Sequence, residues 1–260
     1  MLNTIVLLLT SAIFAFCESA AILEKINKKC AISDIECHTT LYGTLFNEVA
    51  DNGLPDLDIP RLDPFEIKNM EIIAFGMIKL TMTDGTAKGL KSCTTNSFND
   101  FEKQRTSLDL VCDLITIEGD YKIESTPAFL ALAGGINVHG EGKGSVAIEK
   151  LQLNLDCAFE VKKLEDGELH FQIIPDESSY IFNILEKATI AADNIFVGKQ
   201  DISTVAVNIA NENWEFVSKT FGKTINDKIM EVYYHHIQKI FTSVPAKDLV
   251  TDDLSSYVKS

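Results

Sequence analysis

The chain of 260 residues carries 38 Asp and Glu against 23 Lys and Arg, a net charge of −15, and 46% of it is hydrophobic. Nucleic acid and anionic membrane surfaces recruit Lys and Arg clusters, so that balance argues against both as partners. The apolar share excludes a disordered acidic tail and leaves room for one large domain or two modest ones.

Residues 1–20 hold an apolar run from Ile5 to Phe16 followed by small residues. The run is shorter than the ~20 residues of a membrane span and reads as a secretory signal peptide, although no Lys or Arg precedes it. Residues 21–260 are then expected to be a secreted, extracellular domain without a stable membrane anchor. Of six cysteines, Cys17 leaves with the leader. The five that remain in an oxidising compartment cannot all pair within the chain.

Residues 22–52 read as two short helices with a tight joint. Ser33 to Glu36, "SDIE", has the form of a capping box, and Ile35, Leu41, Leu45, Phe46 and Val49 make an apolar stripe ended by Asn52-Gly53. Cys30 and Cys37 flank the joint, and a bridge between them would staple it. "GLPDLDIPRLDPFEI" follows, with Pro55, Pro60 and Pro64 barring a helix or a central strand.

From Ile67 to about Phe196 the apolar period is two. Leu151, Leu153, Leu155, Cys157, Phe159 and Val161 alternate with polar residues, "EDGE" at Glu165 to Glu168 supplies a hairpin turn, and Leu169, Phe171 and Ile173 resume behind it. Leu108, Leu110 and Cys112 form another strand, with a phase slip near Asp113 before Ile115 and Ile117, as a bulge would produce. A Cys93–Cys112 cross-strand bridge is open to these residues, and at least one of Cys112 and Cys157 is expected to be a buried free thiol. The last part is one helix from about Ser203 to Thr242, with Val217, Phe221, Ile225, Ile229 and Tyr233 facing the sheet and Trp214 anchoring its start in the core.

Catalytic signals are weak. "GEGKG" at Gly140 to Gly144 lacks the Gly-Lys-Ser/Thr ending of a phosphate loop and reads as a flexible turn between strands. His235 and His236 are adjacent on a helix and point apart, and no His-x-x-x-His or Gly-x-Ser-x-Gly occurs. No enzyme, metal site or cofactor is expected.

The cysteine pair, "LPDLDIPRLDPFEI", "IEGDYKIE", "HGEGKG", "NIANENWEF" and "IFTSVPAKDLV" occur in an order that resembles the insect takeout and juvenile-hormone-binding protein family. The resemblance implies an α+β tubular lipid-binding fold, in which a strongly curved antiparallel sheet wraps the long carboxy-terminal helix around an elongated apolar cavity. It also implies a Cys30–Cys37 bridge and inward-facing Leu57, Ile59, Leu62 and Phe65 in the proline ribbon. The second, sheet-to-helix bridge of some hormone carriers cannot form in the same way, since no cysteine follows Cys157.

The expected function is a non-enzymatic carrier of a small hydrophobic ligand such as a terpenoid hormone or a fatty acid. The alternative is a secreted interaction protein whose acidic surface docks on a receptor. Inward strand phases nominate Leu108, Leu110, Cys112, Tyr121, Phe129 and Leu132 as ligand-binding residues, with the Tyr121 phenol able to hydrogen-bond a ligand's polar end.

Overall fold

In the structure, a computed structural model that describes residues 28–258, the chain begins on an extended segment and enters helix α1 (Ile35–Asn52). The expected signal peptide, and residues 22–27 of the expected first helix, lie outside the described residues; residues 28–34 are not helical. The helix is capped by Asp34, whose Oδ1 accepts the Cys37 N–H at 3.0 Å, not by Ser33. The start moves one residue along because the carboxylate reaches the free amide of the first turn. Ile35 consequently lies off the core face and is exposed, whereas Val49 is buried and Leu41, Leu45 and Phe46 pack on the core.

The proline-rich stretch is a compact loop, not an extended ribbon. Pro55–Leu57 forms one 3-10 turn, which a leading proline tolerates because its missing N–H would have had no partner. Leu54 and Ile59 then pair across the loop. Gly53 (φ 66°) permits this fold-back, since a Cβ there would fall 2.5 Å from the Ile59 carbonyl oxygen. Leu57 and Ile59 are buried, Leu62 and Phe65 half-buried. Asp63 is buried too, and its Oδ2 accepts the Gly89 and Lys91 amides at 3.1 and 2.9 Å.

Eight strands follow in one antiparallel sheet that does not close into a barrel: β1 (Phe65–Ala74), β2 (Ile78–Lys88), β3 (Cys93–Asp100), β4 (Arg105–Ser125), β5 (Val138–Lys163), β6 (Leu169–Ala192), β7 (Ile195–Val197) and β8 (Gln200–Asp201). β4 is the hinge of the design. One edge pairs with β5 along nearly its whole length, while the other is shared end to end by β3 (over Arg105–Cys112) and β2 (over Thr116–Ser125). Between those partners Asp113 leaves the ladder, and its amide donates to Ser92 Oγ at 3.1 Å. The inward phase changes there: Thr106, Leu108, Leu110 and Cys112 are buried before the gap, Ile115 and Tyr121 after it, and Leu114 is exposed. Register shifts in the β5–β6 pairing at Glu149/Leu151 and Asp156/Ala158 bend the other side of the sheet.

The glycine-rich "GEGKG" is not a turn; it lies inside β5. The crossing segment at Asp193–Asn194 explains it, because a Cβ on Gly142 would meet Asp193 Oδ1 at 2.0 Å and one on Gly140 the Asn194 carbonyl at 2.2 Å. The β4–β5 connection comes earlier and contains the short helix α2 (Pro127–Leu132). The "EDGE" turn closes the β5–β6 hairpin, with Gly167 at φ 84°.

The carboxy-terminal helix is broken once. Helix α3 (Ser203–Glu212) ends at Asn213, whose side chain bonds back to the Ile209 carbonyl, and α4 (Trp214–Ser243) begins there. Thirty residues make α4 about 45 Å long. Its core-facing residues are Asn226, Met230, Ile237 and Ile240, with Tyr233 packed beside them. Ile229 is half exposed and Trp214 only partly covered. A strict i+4 row advances about 40° per step and so winds off the buried face, whereas alternating steps of three and four stay on it.

Candidate functional site

Between α4 and the concave face of the sheet lies an interior with two distinct ends. At one end α1, the start of β4, the end of β5, the beginning of β6 and the last turns of α4 meet. Phe101, Phe159, Phe171 and Phe241 interlock there edge to face, at centroid distances of 5.5 to 5.7 Å along the chain of contacts. The carboxy-terminal segment closes this end: the Cys30 amide donates to the Leu249 carbonyl at 2.9 Å, and Thr251 returns a bond to Cys30 at 3.0 Å. The Cys30–Cys37 disulfide ties that junction to α1.

Beyond it the same inward phase is only half covered. Val146, Ile148, Leu151 and Leu153 on β5 are half-buried, as are Phe182, Ile184 and Ile190 on β6 and Val217, Phe221 and Ile225 on α4. These strand residues are cross-strand partners, Leu153 with Phe182 and Leu151 with Ile184, so they share one face. Tyr42 and Tyr233 are half-buried, and burial raises both phenols above their ordinary 10.0.

A defined cavity of about 70 Å³ opens at the closed end, walled by apolar side chains and by His38, Tyr42, Asn99 and Thr106. That is room for a few water-sized groups. Thr106 Oγ1 is buried without a hydrogen-bond partner. The Tyr42 hydroxyl is near enough for Thr106 to oppose the rise that burial gives its phenol, but no bond of good geometry reaches Oγ1. His38 donates from Nε2 to the Ala31 carbonyl at 3.0 Å, and burial lowers its pKa below 6.5.

Of the residues nominated from sequence, Leu108, Leu110 and Cys112 belong to one buried cluster with Leu155, Cys157, Phe159 and Met230. Cys112 is bonded to Cys93, which leaves Cys157 as the free, buried thiol among the described residues. Burial pushes that thiol up to about 11, with Tyr234 and Ser178 opposing the rise, so it is held in the protonated form at neutral pH. Tyr121 is buried on the later half of β4, and its hydroxyl is already spent on the Asp193 carbonyl. Phe129 is half-buried on α2, while Leu132, 76% exposed, points to solvent and does not line the interior. The strand phase was extended into a helix there, where a period of two no longer applies.

The residues that reasoning from sequence passed over are Tyr42 and Thr106. Thr106 could have been found, since it continues the Leu108–Leu110–Cys112 alternation by one step toward the amino terminus. Among the described residues no group of three or more His, Cys, Asp or Glu could hold a metal, and no helix is long and apolar enough to cross a membrane.

Residues 5–251 match the family described as haemolymph juvenile hormone binding protein. The chain belongs to that family. Among solved structures, the crystal structure of Epiphyas postvittana Takeout 1 superposes with a TM-score of 0.73 at 21% identity, over 86% of this chain and 99% of that one. A lipopolysaccharide binding protein structure aligns at a TM-score of 0.35 and 13% identity, over 74% of this chain and 38% of that one. A search of curated protein sequences finds no match. The juvenile hormone binding protein family is one of lipophilic-ligand carriers, and the Takeout 1 likeness establishes the tubular fold, with an open sheet curved along the long helix.

Proposed function

We propose that this family member is a secreted, non-enzymatic carrier whose mature chain, residues 21–260 after a signal peptide, forms a single ligand-binding domain. Its ligand is an elongated apolar molecule of the terpenoid or long-chain aliphatic kind, held between the sheet and α4. The observation that carries this reading is the half-covered apolar lining opposite the first half of α4. Apolar surface left uncovered inside a fold costs about 25 cal/mol per Å², which a ligand recovers. Leu108, Leu110 and Cys112 form the wall at the packed end, and Tyr121 and Phe129 belong to the far end. Two disulfides and the leader-like first twenty residues support secretion.

The test is displacement of a neutral fluorescent probe, N-phenyl-1-naphthylamine, from delipidated protein by long-chain alcohols, esters and terpenoids. Micromolar or tighter displacement is expected, and short polar analogues should not compete. If no long-chain apolar compound binds below about 100 μM, which corresponds to only ~5.5 kcal/mol, the carrier reading fails and a surface-docking role takes its place.

A further inference from the structure

Building on the carrier reading, we infer that the closed-end cavity receives the terminal oxygen of a ligand whose head group is uncharged, with Thr106 Oγ1 donating to it and Tyr42 beside it. The head is an ester, ketone or alcohol, and a free carboxylate is rejected.

Thr106 is the observation that points to a ligand. A buried hydroxyl without a partner costs free energy, and native proteins leave few of them. This one is more than nine-tenths buried, lies on the inward phase of β4, and opens on a cavity whose walls are mostly apolar, with His38, Tyr42 and Asn99 the other polar residues. An oxygen placed in the cavity satisfies it, and the neutral Tyr42 phenol adds a second donor at the same spot.

The preference for a neutral head follows from what the cavity lacks. No Lys or Arg lines it. His38, its one basic group, is held toward the neutral form by burial, and its Nε2–H is already committed to Ala31. A carboxylate in this cavity would be desolvated with no cation to pair with, the costliest way to bury a charge. The cavity is large enough for a head group only, so the hydrocarbon tail must run outward past Tyr233 along the half-covered faces of β5, β6 and α4.

The experiment uses the mature, delipidated chain and three twelve-carbon probes at pH 8: dodecane, methyl dodecanoate and dodecanoate, each displacing N-phenyl-1-naphthylamine. The expected order is ester tighter than dodecanoate by tenfold or more. Thr106→Val, nearly isosteric and relieved of the orphan hydroxyl, should weaken the ester by about three- to tenfold, the size of one neutral hydrogen bond. The same variant should leave dodecane unchanged, and Thr106→Ser should restore the ester.

Tighter binding of dodecanoate than of the ester overturns the inference, and that ratio needs no variant. Equal losses for ester and dodecane in Thr106→Val overturn it as well, because the residue would then be only packing. Failure of all three probes to bind overturns the carrier reading itself, a result distinct from either.

Discussion

The two ends of the interior are built from the same strands and the same helix, yet only one is closely packed, around a small cavity. On β5, Leu155, Cys157, Phe159 and Val161 are buried, whereas no residue from Val138 to Asn154 is. On α4, Met230, Ile237 and Ile240 are buried, while Trp214 to Ile225 and all of α3 have no buried residue. Composition does not separate them, since both halves carry alternating Leu, Ile, Val and Phe. The difference is what stands opposite. At the packed end α1, the Phe101 loop and the carboxy-terminal segment supply a third layer; at the other end the sheet faces only α3, tied to β6 through Asn211, and the first half of α4. There the curved sheet and those helices leave the space between them only half covered, and that stretch is where a ligand belongs.

The largest expected effect sets one phenylalanine against another. Phe171→Ala, in the interlocked cluster, should cost about 3–5 kcal/mol in denaturant melts. Phe221→Ala, on the loose half of α4, should cost about 1–2 kcal/mol, because less of its surface leaves water on folding. Equal losses would mean that both halves are packed alike.

Next in size is the Cys93–Cys112 bridge, which holds β3 to β4 at the point where the inward phase changes. The sequence separation of 19 gives a loss of about 3 kcal/mol for the double serine variant on the chain-entropy account. That loss should appear as faster exchange in both halves of β4, not in one. Close behind is the ligand itself. At 100-fold excess over Kd it should add about 2.7 kcal/mol. Amide protection should rise most in α3 and the first half of α4, and less around Phe171, where only the head group sits. Uniform protection would dissolve the contrast between the ends.

Much of the fold was legible in the sequence, because alternation over long stretches admits no other reading. The phase slip at Asp113 was visible as two apolar runs out of step, Leu108–Leu110–Cys112 and Ile115–Ile117, and it proved to be the place where β4 changes partners. The ordered set of motifs supplied the tubular topology, which alternation alone does not specify. Other features hid because their cause lies far away in the chain. The glycines of "GEGKG" look like a turn until Asp193 and Asn194 are seen crossing β5. Ile229 fits an i+4 row but rotates off the core. The break at Asn213 carries no proline or glycine to announce it. The cavity's polar pair was hidden for the same reason: Tyr42 and Thr106 lie on a helix and a strand that only the tertiary fold brings together.

The smallest effect concerns the proton balance of the packed end. Burial lowers the pKa of His38 below its ordinary 6.5, against the opposing pull of the Ala31 carbonyl and of the Asp34 and Asp252 carboxylates. The folded state therefore binds fewer protons at this site than the unfolded chain does. By linkage, the stability that the neutral imidazole contributes is complete above pH 6.5 and drains away as pH falls through that value toward the folded pKa. Wild-type melting temperature should decline over that window, on top of the general acid destabilisation of carboxylates. Replacing His38 by phenylalanine should flatten the decline while lowering stability at every pH, because the Ala31 carbonyl loses its donor. The half-covered end has no histidine facing it from α3 or the first half of α4. Exchange in those helices should hence ignore the same pH change, and a parallel loss of protection there would show that the two ends unfold as one unit.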